Sequence, residues 1–168
     1  MKAHTRQATT RDISALAEIE IAAALAFDDI DLSPDRKLRA LDEDELRRSI
    51  EEELTWVATT TDAAIVGFLA ATRIEGVLHI LEMDVLPEHQ GNGIGSMLIE
   101  IAVDAAQNLR CQGLSLTTFS HVPWNRPFYE RRGFTEVPGQ FLPHLSGRLE
   151  AQRQSGLRNR MAMYRNVG

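Results

Sequence analysis

A glycine-rich turn that opens directly into an apolar helical pattern is the segment best suited to chemistry. From Gln90 to Gly95 the sequence reads QGNGIG, and apolar residues then recur at helical spacing as far as Leu109. Glycine reaches backbone conformations that let several N–H groups point to one place. The first N–H groups of a helix have no partners within it, and the helix dipole favours negative charge there. The segment therefore predicts a binding site for a pyrophosphate.

Two common phosphate-binding motifs do not fit this turn. A P-loop ends its glycine segment with Gly-Lys-Ser or Gly-Lys-Thr, whereas here Ser96 follows Gly95 with no lysine between them. A dinucleotide-binding turn has the spacing G-x-G-x-x-G near the start of a β-α-β unit. Here the spacing is G-x-G-x-G, and the turn follows a run of predicted antiparallel strands in mid-chain. Both an NTPase loop and a dinucleotide fold are therefore excluded.

A second segment with chemical potential runs from Asn125 to Phe134, with the sequence NRPFYERRGF. Asn125 and Tyr129 are four residues apart, so a helix puts both side chains on one side. A phenol, with a pKa of about 10, stays protonated at neutral pH and can protonate a leaving group. The alternative interpretation is a packed tyrosine whose hydroxyl is hydrogen-bonded. Asn125 is predicted as the N-cap of this helix and Gly133 as its stop.

These segments must be positioned by a mixed arrangement of strands and helices. Tight turns join the second, third and fourth predicted strands, which indicates an antiparallel meander. The strand–helix–strand segment that follows needs a parallel, right-handed crossover, so the fourth and fifth strands should lie side by side. Helices are predicted from about residue 11, over 42–53, from 94, from 125 and over 143–154, and strands over 6–9, 54–59, 64–74, 77–86, 114–119, 134–137 and 160–165.

Composition favours one soluble globular domain, predicted to span 1–168. The 168 residues are 43% apolar and 25% charged, which is enough to build one core. The net charge of −6 argues against nucleic acid or an anionic membrane as the main partner. The longest apolar run, Ala63 to Ala71, is too short to span a bilayer, and the amino-terminal residues lack the apolar segment of a signal peptide. A cytoplasmic location is therefore predicted.

The cysteine and histidine residues limit the kinds of site that the chain is expected to form. Cys111 is the only cysteine, so no disulfide can form within the chain. The five histidines are scattered, and none has the spacing of a metal-binding motif. No metal site is predicted, and no G-x-S-x-G element or Cys/His pairing indicates a hydrolase.

Taken together, the two segments resemble motifs of the GNAT superfamily of N-acetyltransferases. Residues 90–95 match the coenzyme A signature Gln/Arg-x-x-Gly-x-Gly/Ala. Residues 83–89 look like the family's fourth strand and the segment that leads from it to this turn, and residues 125–134 are similar to the family's later motif. Over residues 6–137 the order of the predicted strands and helices resembles that of the family, and the family's final strand would correspond to residues 160–165. It implies an α/β (α+β) fold with a mixed sheet of about six or seven strands, splayed between the fourth and fifth and flanked by about four or five helices.

The resemblance implies acetyl-CoA as co-substrate and assigns contacts to it. Residues 90–96 should bind the pyrophosphate through backbone N–H groups and side chains. Met83 and Val85 should offer backbone groups to the pantetheine arm, and Asn125 should contact the arm from its other side. The N–H of Val85 should donate to the thioester carbonyl, whose oxygen gains charge during the reaction. The predicted cofactor-binding residues are thus Met83, Val85, Gln90, Gly91, Asn92, Gly93, Ile94, Gly95, Ser96 and Asn125.

Three side chains are the predicted catalytic groups. Tyr129 is the acid that protonates the departing thiolate. An amine acceptor is cationic near neutral pH and must lose a proton, and Glu82 is the first choice of base because an apolar setting would raise its pKa. In regular alternation Glu82 shares a face with Ile80 and Asp84, unless a bulge intervenes. His121 is the second choice of base. For both candidate bases, a structural or substrate-orienting role is the alternative.

The resemblance implies transfer of an acetyl group to a primary amine by direct attack in a ternary complex. A small cationic molecule is the favoured acceptor, because Asp28, Asp29 and Asp31 lie in an acidic segment, 28–35, although a solvated loop of this composition needs no ligand. A protein or peptide amine is one alternative acceptor, and a non-catalytic acyl-CoA-binding sensor module is the other alternative. No nucleic acid or membrane partner is expected, and a homodimer is an open expectation because dimers are common in the family.

Overall fold

The computed structural model describes residues 3–25 and 41–168, and the acidic segment 28–35 lies outside these ranges. Within them the chain forms seven strands and five α-helices. The strands are β1 (His4–Gln7), β2 (Thr55–Thr59), β3 (Ile65–Ile74), β4 (Val77–Val85), β5 (Gly113–Phe119), β6 (Thr135–Val137) and β7 (Arg160–Asn166). The helices are α1 (Ile13–Leu25), α2 (Glu43–Glu51), α3 (Ile94–Asn108), α4 (Asn125–Glu130) and α5 (Pro143–Gln154).

The strands form one mixed sheet in the order β1-β2-β3-β4-β5-β7-β6. β1 and β2, and β2 and β3, pair antiparallel, as do β5 with β7 and β6 with β7. β4 and β5 pair in parallel at two register positions, Leu78 with Leu114 and His79 with Ser115. The crossover through α3 makes this parallel pair, as the strand–helix–strand pattern predicts. The predicted α/β fold class with a mixed sheet is therefore confirmed.

The described chain divides into two compact units, of which the first comprises residues 3–25, 41–72 and 81–102. It contains α1, α2, β1, β2, most of β3, the carboxyl-terminal part of β4 and the first part of α3. Apolar side chains from both helices and from β2 and β3 meet in one core cluster, and all five residues of β2 are buried. The buried members of this cluster are Ala8, Leu16, Ile19, Leu46, Ile50, Val57, Phe68 and Ala70.

The second unit comprises residues 73–80 and 103–168. β7 is its central element, because it pairs with β5 over all seven residues on one side and with β6 on the other. Its largest fully buried side chains include Leu114, Leu116, Phe134, Leu145 and Met163. The prediction that the whole chain is one domain stays a prediction.

The first strand ends earlier than predicted, at Gln7 rather than at Thr9. The N–H of Thr9 donates to Asp12 Oδ2 at 2.8 Å, and this bond begins a helical turn. Arg6 holds the same carboxylate with two N–H groups, at 2.8 and 3.0 Å. The Thr9–Asp12 spacing was correctly interpreted as a helix start. Because the helical turn begins there, β1 ends before Thr9.

The second helix is shorter than the predicted 42–53. Asp42 is its N-cap, because Asp42 Oδ1 accepts the N–H of Glu45 at 3.0 Å. The helix ends at Glu51, and Glu53 has a positive φ of 59°, which no α-helix can continue through. None of the described helices is long and apolar enough to cross a membrane.

Candidate active site

Regular alternation does not run through the carboxyl-terminal part of β4. Leu81 packs against the core cluster of the first unit, which contains Phe68 of β3. Val85 lies on the opposite face, because its Cγ2 is 3.2 Å from the position that a Cβ would take on Gly67, the neighbour of Phe68. Residues four apart on a regular strand share a face, so alternation breaks between Leu81 and Val85. Glu82 is half-buried in this irregular stretch, where the strand pattern alone does not decide its direction.

The predicted pyrophosphate turn has the backbone that such a site requires. Gly91 and Gly93 have φ angles of +75° and +81°, which an L side chain rarely adopts, and a Cβ on either would meet no atom within 4 Å. The hydrogen-bond ladder of α3 begins with Met97, whose N–H donates to Gly93 O at 3.0 Å. The N–H groups of residues 94–96 therefore have no carbonyl within the helix to bond. The donor set fits an anionic group such as a pyrophosphate.

Two side chains expected to contact the cofactor stabilise the turn itself. Gln90 Nε2 donates to Val85 O at 3.0 Å, which connects the turn to the last residue of β4. Asn92 Nδ2 donates to His89 O at 3.2 Å and to Gln90 O at 3.3 Å. These bonds hold the backbone that carries the N–H donors. Direct contact of either side chain with a cofactor stays a prediction.

Gly67 of β3 lets the end of β4 and the start of α3 approach each other closely, and sequence analysis did not identify it. A Cβ there would lie 3.0 Å from Asp84 O, 3.2 Å from Val85 Cγ2 and 3.3 Å from Ile94 Cγ2. Because the strand backbone and the first residue of α3 line this space, a methyl group would separate them. A signal in the sequence exists, since glycine in the middle of an apolar strand often marks such an approach.

Gly67→Ala should weaken the binding of coenzyme A by about tenfold, because overpacking by one methyl costs about 1–3 kcal/mol and displaces the turn. The measurement is isothermal titration with coenzyme A. Gly147→Ala is the matched control, because a Cβ on Gly147 in α5 meets nothing within 4 Å. Equal affinities of the two variants would contradict the spacing role of Gly67.

A buried carboxyl on α1, that of Glu20, was also missed by sequence analysis. Glu20 is 8% exposed, and its two carboxylate oxygens accept the N–H of Leu41 at 2.6 and 2.8 Å. Burial, and then the negative charge of Glu82, raise the pKa of Glu20 to about 8, against the opposite effect of the Leu41 bond. Its spacing from Leu16 and Ala23 places it on the buried face of α1, which is the signal that could have revealed it.

In the second unit, α4 carries both residues of the later motif. Asn125 is the first residue of α4, and Trp124 occupies the N-cap position, so the prediction of Asn125 as N-cap is wrong. The reason is that Asn125 Nδ2 donates to Thr118 Oγ1 of β5 at 3.0 Å, which draws its side chain away from the helix end. Tyr129 lies one turn further on, as the four-residue spacing predicts.

The ring of Tyr129 is fixed by two aromatic neighbours. It makes edge contacts with Phe128 and Phe134, with centroid distances of 5.1 and 5.7 Å. The N–H of Phe134, which is 1% exposed, donates to Tyr129 O at 3.1 Å. Packing therefore sets the direction of the phenol oxygen, which suits a group that must deliver a proton to one place.

His121, the second candidate base, lies in a buried aromatic setting. Both of its ring nitrogens are buried, and neither has a hydrogen-bond partner within residues 3–25 and 41–168. Its ring meets the ring of Phe119 edge to face, with centroids 5.5 Å apart. A base must be within hydrogen-bond reach of the proton that it takes, directly or through one water. The role of His121 as a base, like that of Glu82, stays a prediction.

A chain of four polar side chains, three of them buried and the fourth that of the exposed Glu75, connects β4, β5 and α5 in the second unit. His79 Nδ1 and Ser115 Oγ are 2.9 Å apart, and Ser115 Oγ lies 2.9 Å from His144 Nε2. His144 Nδ1 is 2.7 Å from Glu75 Oε2. These distances are those of a Ser-His-acid triad, but Ser115 is 0% exposed, so its hydroxyl meets no substrate. The chain therefore has a structural role.

Ser115→Ala should lower the free energy of unfolding by about 1–3 kcal/mol, because it leaves two buried ring nitrogens without their partner. The measurement is urea denaturation followed by circular dichroism. Ser146→Ala, which removes an exposed bond to Gly139 O, is the control and should cost less than about 0.5 kcal/mol. If the two variants lost the same stability, the structural role of the chain would be wrong.

Comparison with known proteins adds a family and a fold. A model of the acetyltransferase (GNAT) family matches residues 19–134. The PaiA N-acetyltransferase of Thermoplasma acidophilum, solved with coenzyme A, superposes with a TM-score of 0.76 at 16% identity, covering 99% of each chain. A GNAT family acetyltransferase of Staphylococcus aureus Mu50 gives 0.73 at 18% identity, covering 99% of this chain and 100% of that one. The ribosomal-protein-S18-alanine N-acetyltransferase of Escherichia coli gives 0.71 at 16% identity, covering 99% and 95%.

Proposed function

The chain belongs to the acetyltransferase (GNAT) family, and from this premise we propose that it moves an acetyl group from acetyl-CoA to the primary amine of a small cationic molecule. Family membership makes it an acyltransferase that transfers groups other than aminoacyl groups. The choice of acetyl-CoA as the acetyl donor is supported by the start of α3, where the N–H groups of residues 94–96 follow two left-handed glycines. These N–H hydrogen-bond donors suit the anionic pyrophosphate of coenzyme A.

The proposed reaction is direct attack of the amine nitrogen on the thioester carbonyl carbon. Glu82, or a water that it holds, takes the proton that the amine must lose. The N–H of Val85 donates to the carbonyl oxygen as that oxygen gains negative charge. When the carbon–sulfur bond breaks, Tyr129 protonates the sulfur, and the products are an N-acetyl amide and the free thiol of coenzyme A.

Two features support a small cationic acceptor over a peptide. The chain carries a net charge of −6, which attracts cations. Burial, and then the negative charge of Glu82, raise the pKa of Glu20, and a positive charge beside two coupled carboxyl groups would be favoured. The contribution of segment 28–35 stays a prediction, as do the cytoplasmic location and a homodimer.

The test is a free-thiol assay with acetyl-CoA over a panel of polyamines, amino acids, aminoglycosides and peptides. We expect kcat/KM for the best small cationic amine to exceed that for any peptide by about tenfold or more, which corresponds to one favourable charge contact. A preference for peptide amino termini would assign a protein acceptor instead. Tight binding of acetyl-CoA without thiol release for any amine would indicate a sensor module.

A further inference from the structure

Thr118 of β5 has a buried hydroxyl whose partner lies on α4. The residue is 6% exposed, and its Oγ1 accepts a hydrogen bond from Asn125 Nδ2 at 3.0 Å. Both residues belong to the second unit. Thr118 stands opposite Met161 in the regular pairing of β5 with β7. The strand therefore holds the hydroxyl at a fixed place beside the start of α4.

The neighbouring threonine shows that the direction of the Thr118 hydroxyl is specific. Successive side chains of a strand point to opposite faces of the sheet. Thr117 Oγ1 accepts from Gln152 Nε2 of α5 at 2.9 Å, whereas Thr118 Oγ1 accepts from α4. The two faces of β5 thus bond to different helices, and of these two threonines it is Thr118 that bonds to the helix with Asn125.

The preference of threonine for strands does not explain why this position carries a hydroxyl. Valine has the same branched shape and also prefers strands. Burying a hydroxyl costs free energy unless it is hydrogen-bonded, and valine would avoid that cost. What threonine adds at position 118 is therefore the bond to Asn125.

This bond fixes the side-chain amide of Asn125 in one orientation. A primary amide has two N–H donors and one carbonyl acceptor. Thr118 accepts from one N–H, and within residues 3–25 and 41–168 this is the only hydrogen bond of the Asn125 side chain. Asn125 is half-buried, and its carbonyl Oδ1 and second N–H are left for a ligand. These two atoms match a secondary amide, which is the polar group of the pantetheine arm.

We infer that Thr118 is a positioning residue: its hydroxyl holds the Asn125 amide in the orientation that pairs with an amide group of the pantetheine arm. This role rests on the proposed function, in which acetyl-CoA is the acetyl donor and Asn125 contacts its arm. Thr118 itself is buried and acts through Asn125. A side chain that is already held in its binding conformation loses less entropy when the ligand binds, so the bond increases the affinity for the arm.

Thr118→Val should raise the dissociation constant for coenzyme A by about three- to tenfold, which is the effect of one neutral hydrogen bond. The measurement is titration calorimetry with coenzyme A, repeated with 3′-phosphoadenosine 5′-diphosphate, which has the pyrophosphate but lacks the pantetheine arm. The affinity for this fragment should stay within about twofold of the wild type, because the variant changes only the contact with the arm. Thr118→Ser keeps the hydroxyl and should restore the affinity for coenzyme A.

Thr117→Val is the matched control, because it removes a bonded hydroxyl from the opposite face of β5. Its affinity for coenzyme A should stay within about twofold of the wild type. Thr118→Ala provides the same comparison if the valine variant does not fold. Equal affinities of the Thr117 and Thr118 variants for coenzyme A, or an equal loss of affinity for the fragment, would overturn the inference and leave the bond a purely structural one.

A double-mutant cycle with Asn125→Ala decides whether Thr118 acts through Asn125. In the Asn125→Ala background, Thr118→Val should change the dissociation constant by less than about twofold, because the amide that it positions is gone. The same loss of affinity in both backgrounds would overturn the inference while the proposed function stands. A wild-type protein that does not bind coenzyme A in the same titration would overturn the proposed function, and the role of Thr118 with it.

Discussion

Tyr129→Phe should lower kcat for acetyl transfer by about 100-fold or more, while KM for acetyl-CoA changes by less than about threefold. The phenol is proposed to protonate the departing sulfur, and that interaction exists only as the carbon–sulfur bond breaks. Phenylalanine keeps the edge contacts with Phe128 and Phe134, so the loss should not come from unfolding. The measurement is steady-state thiol release with the best acceptor of the panel.

The chain offers a matched control for this variant. Tyr164 on β7 is the only other tyrosine, and it packs against Phe141, with a centroid distance of 5.1 Å. Tyr164→Phe removes the same hydroxyl and should leave kcat within about twofold of the wild type. If Tyr129→Phe behaved like Tyr164→Phe, Tyr129 would be a packed residue and not the acid.

Gly93→Glu should raise the dissociation constant for coenzyme A by about 100-fold or more. The substitution places a carboxylate where the pyrophosphate is proposed to bind, so two negative groups repel each other. It also puts a side chain on a residue with a φ of +81°, which costs about 1 kcal/mol. The measurement is titration calorimetry with coenzyme A, with the melting temperature recorded in parallel.

Gly156→Glu separates repulsion of the ligand from strain in the backbone. Gly156 has a φ of +91°, and a Cβ on it also meets nothing within 4 Å, but it follows α5 rather than the turn before α3. This control should lose similar stability and keep its affinity for coenzyme A within about twofold. Normal binding by Gly93→Glu would rule out the turn as the pyrophosphate site.

Elements with a strong local pattern could be predicted from the sequence. The helix that begins at the glycine turn is found as α3, over Ile94–Asn108, and the helix predicted over 143–154 is found as α5, over Pro143–Gln154. The glycine turn before α3 and the parallel pairing of β4 with β5 follow from spacing alone. Such features depend on residues that are near one another in the chain, which is why periodicity and turn chemistry were sufficient.

Contacts between residues far apart in the chain could not be predicted. The bonds of the buried Glu20 carboxylate to the N–H of Leu41 join residues 21 positions apart. The bond between Asn125 and Thr118 overrode the strong preference of asparagine for an N-cap. Propensity expresses what a residue does in the absence of such a partner, so tertiary contacts decided these cases.

Direct transfer of acetyl from acetyl-CoA to an amine is the central step of the proposed reaction. The decisive measurement incubates the protein with acetyl-CoA and the best acceptor and counts free thiol and N-acetylated amine together, the latter by mass spectrometry. We predict one thiol for each acetylated amine, and thiol release that depends on the presence of the amine. Release at the same rate without any amine, or binding of acetyl-CoA with no release for any acceptor, would contradict the account.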